Sequence, residues 1–171
     1  MKMTKIKNSF FQRDVLEICP ELLGKILVRK FDDGIIKKYK ITEIEAYKGE
    51  KDLACHASKG RTKRTEIMYH DGGFIYVYLI YGIHWMLNIV TSIENHPQAI
   101  PIRGIENFNG PGKLGKELKI DNSFYGENLE NSTNIWIENN DEKIEFSVAK
   151  RIGIEYAGEF WKNKFWRFFI K

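Results

Sequence analysis

The sequence predicts an α+β domain, a mostly antiparallel sheet with helices packed outside it. Three observations carry that prediction. Two β-like stretches are joined by the turn tripeptide Asp32, Asp33, Gly34, and FIYVYLIYGIHWMLNIV reads as strand, turn and strand. Three more β-like stretches, NIWIEN, KIEFSVAKRIGI and FWRFFI, close the chain.

Taken in order, Asp14 stands before VLEIC with Pro20 and Gly24 nearby, which predicts a short capped helix handing over to a strand at KILVRKF. After the Asp32–Gly34 turn, IKKYKITEIEAY is the return strand. Residues 58 to 73, SKGRTKRTEIMYHDGG, combine a basic loop with a helical turn that Gly72 and Gly73 end. The next hairpin turns at Tyr81 and Gly82, and AIPIRGIEN is a largely apolar strand. Pro111 followed by KLGKELK predicts a helix with proline in its first turn, opening from the loop Gly110 to Gly112. Its N-terminus suits a phosphate or simply ends a loop. Residues 121 to 142 are polar and rich in Asn, and no repeat or low-complexity linker divides the chain, so one domain is expected over residues 1 to 171.

A chain of 171 residues buries a core without help from metal or disulfides. Lys and Arg number 27 against 23 Asp and Glu, a net charge of +4 that suits a polyanionic partner but does not require one. Cys19 and Cys55 form no CxxC pair, so neither a disulfide scaffold nor a zinc ribbon is expected, and a reducing compartment is. The segment MKMTKIKNSFFQRD is basic but has no apolar run long enough for a secretory signal, and Gly82 and His84 interrupt the longest apolar stretch. A soluble cytoplasmic protein without a membrane partner follows as the expectation.

The chemistry concentrates in ITEIEAYKGEKDLACHAS. With period 2, Ile41, Glu43, Glu45 and Tyr47 share one face of the strand, while Thr42, Ile44 and Ala46 take the other. His56 returns to that neighbourhood after a link containing Gly49. A carboxylate beside two π-surfaces is what an enzyme needs to hold a planar base and activate a water. A strand glutamate is otherwise ordinarily solvated, and Glu43 either forms a carboxylate pair with Glu45 or has a structural role. Tyr76 and Tyr78 share a face of the second hairpin. Tyr81, at its turn, either wedges into a base stack or lies back on its own sheet. Asn88 reads a base edge or satisfies a backbone group.

Arg103 in its apolar strand calls for an anion, and Glu45 is the obvious candidate; the two would hold a water or form a structural salt bridge. Lys59, Arg61, Lys63 and Arg64 suit phosphate contacts or a solvated loop. His84 and His96 lack a ligand spacing, so no metal site is expected, and neither GxSxG nor a Walker loop occurs.

These residues resemble the alkyladenine (3-methyladenine) DNA glycosylase family. The resemblance runs from FFQRDVLEICPELLGKILVRK through EIEAYKGEKDLACHAS, GRTKRTEIMY, IYVYLIYGIHWMLNIV, AIPIRGIE and GPGKLGKEL to KRIGIEYAGE and WRFF, most of the chain, with EAY, HAS and YVYxxYGxxxxxN its specific core. It implies a single compact α+β domain with a curved antiparallel sheet, no helix-hairpin-helix element, and a β-hairpin that projects into DNA. It also implies monofunctional excision of alkylated or deaminated purines from duplex DNA, by a monomer without a lysine Schiff base, cofactor or metal, at the nucleoid in a bacterial cell.

By matching position, Glu45 would be the general base and Arg103 would help place the water. Tyr47 and His56 would stack on one face of the flipped base and Tyr78 on the other. Tyr81 would be the minor-groove wedge with Ile83 beside it, Asn88 the pocket floor that disfavours guanine, and Arg61 and Arg64 DNA contacts. Ile83 departs from a common methionine, Cys55 from alanine and Phe165 from proline, none of which removes a chemical role. The chain reads as little more than the catalytic core.

Two other classes fit part of the pattern. A non-catalytic nucleic-acid-binding module would use the aromatic hairpin and basic loop as a stacking platform. A metal-dependent nuclease would draw on Glu43, Glu45 and Asp52, although nothing fixes its ligand set.

Overall fold

The computed structural model describes residues 3–171. Asp14 accepts a hydrogen bond from the Leu16 N–H and caps α2 (Val15–Leu22), which follows the single turn α1 (Asn8–Phe11). Val15, Ile18, Cys19 and Leu22 recur at helical spacing and are the buried face of α2. The chain then forms β1 (Ile26–Lys30) and β2 (Ile36–Glu45), antiparallel across the Asp32–Gly34 turn. After two 3-10 turns, His56–Lys59 and Glu66–Tyr69, come β3 (Ile75–Ile80), β4 (His84–Thr91) and β5 (Gln98–Ile105).

The short β6 (Phe108–Asn109) leads into α3 (Pro111–Glu117), where Pro111 starts the helix as expected. Gly115 lets α3 lie against β4, because a Cβ there would sit 2.6 Å from the Trp85 carbonyl oxygen. β7 (Ile135–Glu138), β8 (Phe146–Ala149), α4 (Gly158–Lys162) and β9 (Arg167–Ile170) complete the chain.

The strands form one open, wholly antiparallel sheet in the order β3-β4-β5-β2-β1-β7, with β6 on β5 and the β8–β9 hairpin on β2. The α+β class predicted from the turn and strand signals is therefore the observed one. β2 changes neighbours along its length. Ile36 to Lys40 pair with β1, whereas Glu43 and Ile44 lie between β5 and β9 and Glu45 pairs with β9. The carboxyl end of β2 is thus interior to the sheet.

Alternation along the strands divides the apolar residues between two faces. Ile75, Val77, Leu87 and Ile89 pack with α2 and α3 in the main core. Tyr76 and Val90, the intervening positions, join Cys55, Ala57, Met68 and Ala99 in a second cluster on the other face. The first cluster makes the sheet rigid; the second surrounds the candidate site. No helix among the described residues is long and apolar enough to cross a membrane.

Two expectations need correction, and two short helices were not expected. Strict alternation put Ile41 with Glu43, Glu45 and Tyr47, but Ile41 is buried in the main core with Ile44 and Ala46. Register shifts against β5 on both sides of Glu43 interrupt the alternation between Ile41 and Ile44. The stretch KIEFSVAKRIGI is a strand only from Phe146 to Ala149, and its last residues leave the sheet. α1 and α4, of four and five residues, carry too little periodicity to be read in advance.

Candidate active site

The irregularity between β2 and β5 builds the polar centre of the site. Ile41 faces Ile105, Glu43 faces Gly104 and Ile44 faces Ile102, so Arg103 is an extra residue on β5 without a partner across the ladder. Its guanidinium turns toward both acids of β2, with Nε 3.5 Å from Glu43 Oε1 and 3.5 Å from Glu45 Oε1. Glu45 has no exposed surface. Its Oε1 accepts a hydrogen bond from the Ile152 N–H at 2.8 Å, and its Oε2 accepts one from the Tyr47 hydroxyl at 2.9 Å. Burial nevertheless raises the proton affinity of Glu45 above that of an ordinary glutamate, against the opposing pull of Arg103, these two hydrogen bonds and Arg151. A buried carboxylate with raised proton affinity is chemically suited to take a proton from water.

Tyr47 leaves the regular strand but keeps both backbone hydrogen bonds to Ala99 of β5, at 3.0 and 3.1 Å, which fixes its ring. That ring lines a cavity of about 240 Å³ whose walls also include His56, Tyr78, Asn88, Arg103 and Ile152. Ligand pockets commonly span roughly 300–1,000 Å³, so the space suits one small planar group. The sequence placed acid and ring in the same space. In the structure Tyr47 lines the space, while Glu45 touches three of its lining residues from the protein side.

His56 opens the first 3-10 turn, and its Nδ1 is hydrogen-bonded to the buried Tyr76 hydroxyl at 2.8 Å. Burial, with Arg64 and Lys59 adding repulsion, lowers its pKa to about 4, so the imidazole is neutral at neutral pH. Its ring lies 4.5 Å from Tyr78, edge-on at 63°. The sequence reading grouped His56 with Tyr47 opposite Tyr78; here it packs directly against Tyr78. Asn88 is buried on β4, where its Nδ2 donates to the Tyr76 and Met86 carbonyls at 3.1 and 3.2 Å. It lines the cavity as a fixed wall, with its donor engaged by the backbone.

The β3–β4 hairpin closes through the Ile83 N–H donating to the Ile80 carbonyl at 3.0 Å, with Tyr81 at φ 52° and Gly82 at φ 67°. Two successive positive φ values are the signature of the hairpin turn whose twist matches its strands. Glycine adopts that conformation freely, whereas a tyrosine there is strained. Tyr81 is 91% exposed and Ile83 71%, so neither ring nor branch lies back on the sheet.

The basic loop is less uniform than its sequence. Arg61 is forked onto Glu66, with contacts of 2.9 and 2.6 Å, and also donates to Asn95 Oδ1. Arg64 is exposed, stands 5.1 Å from the Tyr78 ring centre and has no ion pair among the described residues.

Sequence reasoning missed the segment after β8. Asp52, considered as a metal ligand, is fully buried and bound in a two-pronged pair with Arg151 at 2.6 and 3.0 Å. Its oxygens also accept the Lys48 and Ala54 N–H groups, and among the described residues Asp52 forms no three-ligand cluster with Glu43 and Glu45. The Arg151 guanidinium lies 4.7 Å from the Tyr47 ring centre and anchors the segment that presents the Ile152 N–H to Glu45. The segment lies within KRIGIEYAGE, one of the stretches that carry the resemblance, but no role for Arg151 or Ile152 followed from it. Cys55, one of the departures noted above, is buried, and Phe165 is exposed just before β9.

A family model described as methylpurine-DNA glycosylase matches residues 9–108 and 106–171. A protein of Natranaerobius thermophilus is 38% identical, over 98% of this chain and 96% of its own length. One of Legionella pneumophila strain Corby is 41% identical over 99% and 96%, and one of Borrelia garinii subsp. bavariensis 43% identical over 95% and 94%. Each of the three bears a provisional name as a 3-methyladenine DNA glycosylase.

Proposed function

The chain belongs to the methylpurine-DNA glycosylase family, DNA-repair hydrolases of N-glycosyl bonds, and from that premise we propose that it flips alkylated or deaminated purines out of duplex DNA and hydrolyses them away. One observation supports the chemistry above all: the fully buried Glu45, held by Ile152, Tyr47 and Arg103 beside an aromatic cavity.

Alkylation at purine N3 or N7 puts positive charge on the ring and weakens the glycosidic bond. The extruded base enters between Tyr47 and Tyr78, with neutral His56 at its edge, and electron-rich rings favour an electron-poor base. Asn88 disfavours guanine by bulk at the cavity wall. As the C1′–N bond breaks, its electron pair leaves with the base, which departs neutral when alkylation has made it cationic and takes a proton from solvent when it is a deaminated purine, and the oxocarbenium-like sugar is stabilised by the charge of Glu45. Water at the cavity wall beside Arg103 forms the new C1′–O bond and gives its proton to the Glu45 carboxylate, a step that requires Tyr47, Arg103 and Ile152 to part enough to admit it to the buried acid. Tyr81 and Ile83 fill the gap left in the duplex, and Arg64 meets a phosphate. The enzyme acts as a monomer on double-stranded DNA in the cytoplasm, nucleoid-associated in a bacterium.

The test is base release from an alkylated duplex with chelator present. Parent protein releases free base, and Glu45→Gln binds the lesion but releases at least a hundredfold less. Strand scission that chelator abolishes would point to a nuclease, and binding without release to a non-catalytic module. Full release by Glu45→Gln would remove Glu45 from the role of base. Release rates from 3-methyladenine, 7-methylguanine, hypoxanthine and ethenoadenine would rank the substrates.

A further inference from the structure

Four charged side chains of alternating sign run inward from the surface: Arg167, Glu43, Arg103 and Glu45, with side chains 23%, 20%, 13% and 0% exposed. A single oxygen, Glu43 Oε1, stands 3.2 Å from Arg167 Nη1 and 3.5 Å from Arg103 Nε. Arg103 Nε is equally far from Glu45 Oε1, is buried and makes no hydrogen bond. The guanidinium is thus suspended between two acids and committed to neither.

We propose that Glu43 and Arg167 are positioning residues that divide the charge of Arg103 between Glu43 and Glu45, and so set how strongly Glu45 is held as a base. The inference rests on the reading of Glu45 as that base. It follows from the sheet. The unpartnered place of Arg103 on β5 sends its side chain toward β2, and Glu43 and Glu45 are two residues apart on β2. From the other side β9 supplies Arg167, in register with Glu45 but paired through its guanidinium with Glu43. Its Nε donates to the Lys150 carbonyl, which limits the freedom of Arg167 to follow Glu43 if the acid moves.

The charged and titratable groups facing Glu45 are Tyr47 from its own segment, Arg103 from β5, Arg151 beside the Ile152 N–H, Tyr78 from β3 and Tyr156. Those facing Glu43 are Arg103 and Arg167. Removing the charge of Glu43 releases Arg103 wholly to Glu45. The charged form of Glu45 gains, and its proton affinity falls. Removing Arg167 leaves Glu43 with Arg103 as its one cation. Arg103 is drawn off Glu45, whose proton affinity rises. Neutralising two residues of one ion pair therefore has opposite effects on a third group, a result that a role in stability alone does not produce.

The measurement is single-turnover release of 7-methylguanine from duplex DNA, with enzyme in excess, across the acid limb of the pH–rate profile. Glu43→Gln moves the limb to lower pH and Arg167→Gln moves it to higher pH, each by about half a pH unit or more. Glu43→Asp, which withdraws the carboxylate, and Arg167→Lys, which loses the fork, shift it in the same directions by less. These serve if a neutral variant does not fold by circular dichroism. Limbs that coincide with the parent, or that move the same way in both variants, would overturn the inference while Glu45→Gln remains inactive. Turnover by Glu45→Gln would instead overturn the underlying assignment of the base.

Discussion

A carboxylate without exposed surface is costly unless it is hydrogen-bonded, and Glu45 has a donor on each oxygen yet remains harder to ionise than glutamate in water. The pKa in the folded state therefore lies above the unfolded value, so the contribution of Glu45 to stability is present below about 4.5, the ordinary glutamate value, and is lost as pH rises through the folded-state pKa. Glu45→Gln lacks that loss. It is expected to be more heat-stable than the parent at pH 7 while being inactive. Thermal melts should show the advantage vanish toward pH 4; a Gln variant less stable at pH 7 would contradict the proton affinity assigned to Glu45. At this scale much of the site was legible, since Arg103 announced itself as a guanidinium in an apolar strand and Glu45 as an acid beside a ring. Ile152 did not, because its contribution is a backbone N–H that every residue but proline carries.

Two elements hold the site in shape. The β3–β4 hairpin presents Tyr81 in a conformation that suits glycine. Tyr81→Ala is expected to weaken duplex binding about tenfold or more in a filter or anisotropy assay, with a smaller effect on single-stranded substrate. Tyr81→Gly, which loses the same ring but relieves the positive φ, should be more stable than Tyr81→Ala by about 1 kcal/mol in denaturant titrations. The second element is the segment carrying Arg151 and Ile152, tied to the loop after β2 by the buried Asp52–Arg151 pair. Asp52→Asn leaves a guanidinium without its anion and should cost about 3–5 kcal/mol. Asp52→Leu combined with Arg151→Met should recover part of that loss but not activity, since Tyr47 and the Ile152 N–H lose their support. The hairpin could be read from a turn dipeptide between alternating runs. The Arg151 clamp could not, because its two ends lie far apart in sequence and nothing local marks them as partners.

For the whole molecule, the two-faced sheet separates stability from chemistry. α2 and α3 close the main core on one face, and the cavity lies with the second cluster on the other. The net charge of +4 favours DNA, and on the proposed reading phosphate is met by cations not already paired. Arg61, forked onto Glu66, should contribute little: Arg61→Gln is expected to leave the slope of log affinity against log salt unchanged, whereas Arg64→Gln reduces its magnitude by about 0.9. An equal reduction in both variants would show that the Arg61–Glu66 pair opens on DNA, and no reduction in either would remove Arg64 from contact with phosphate.

Alone, the sequence determined what local chemistry can specify: the α+β class from turn and strand periodicity, the capped and proline-started helices, the hairpin turn at Tyr81 and Gly82, and the residue types around Glu45. The tertiary structure decided what depends on partners distant in the chain. Register against β5 moved Ile41 into the core and turned Arg103 toward two acids, packing set His56 against Tyr78, and Asp52 found Arg151. Strand period and turn propensity are properties of neighbouring residues, whereas bulges, buried ion pairs and backbone donors arise only when separate segments meet across a sheet.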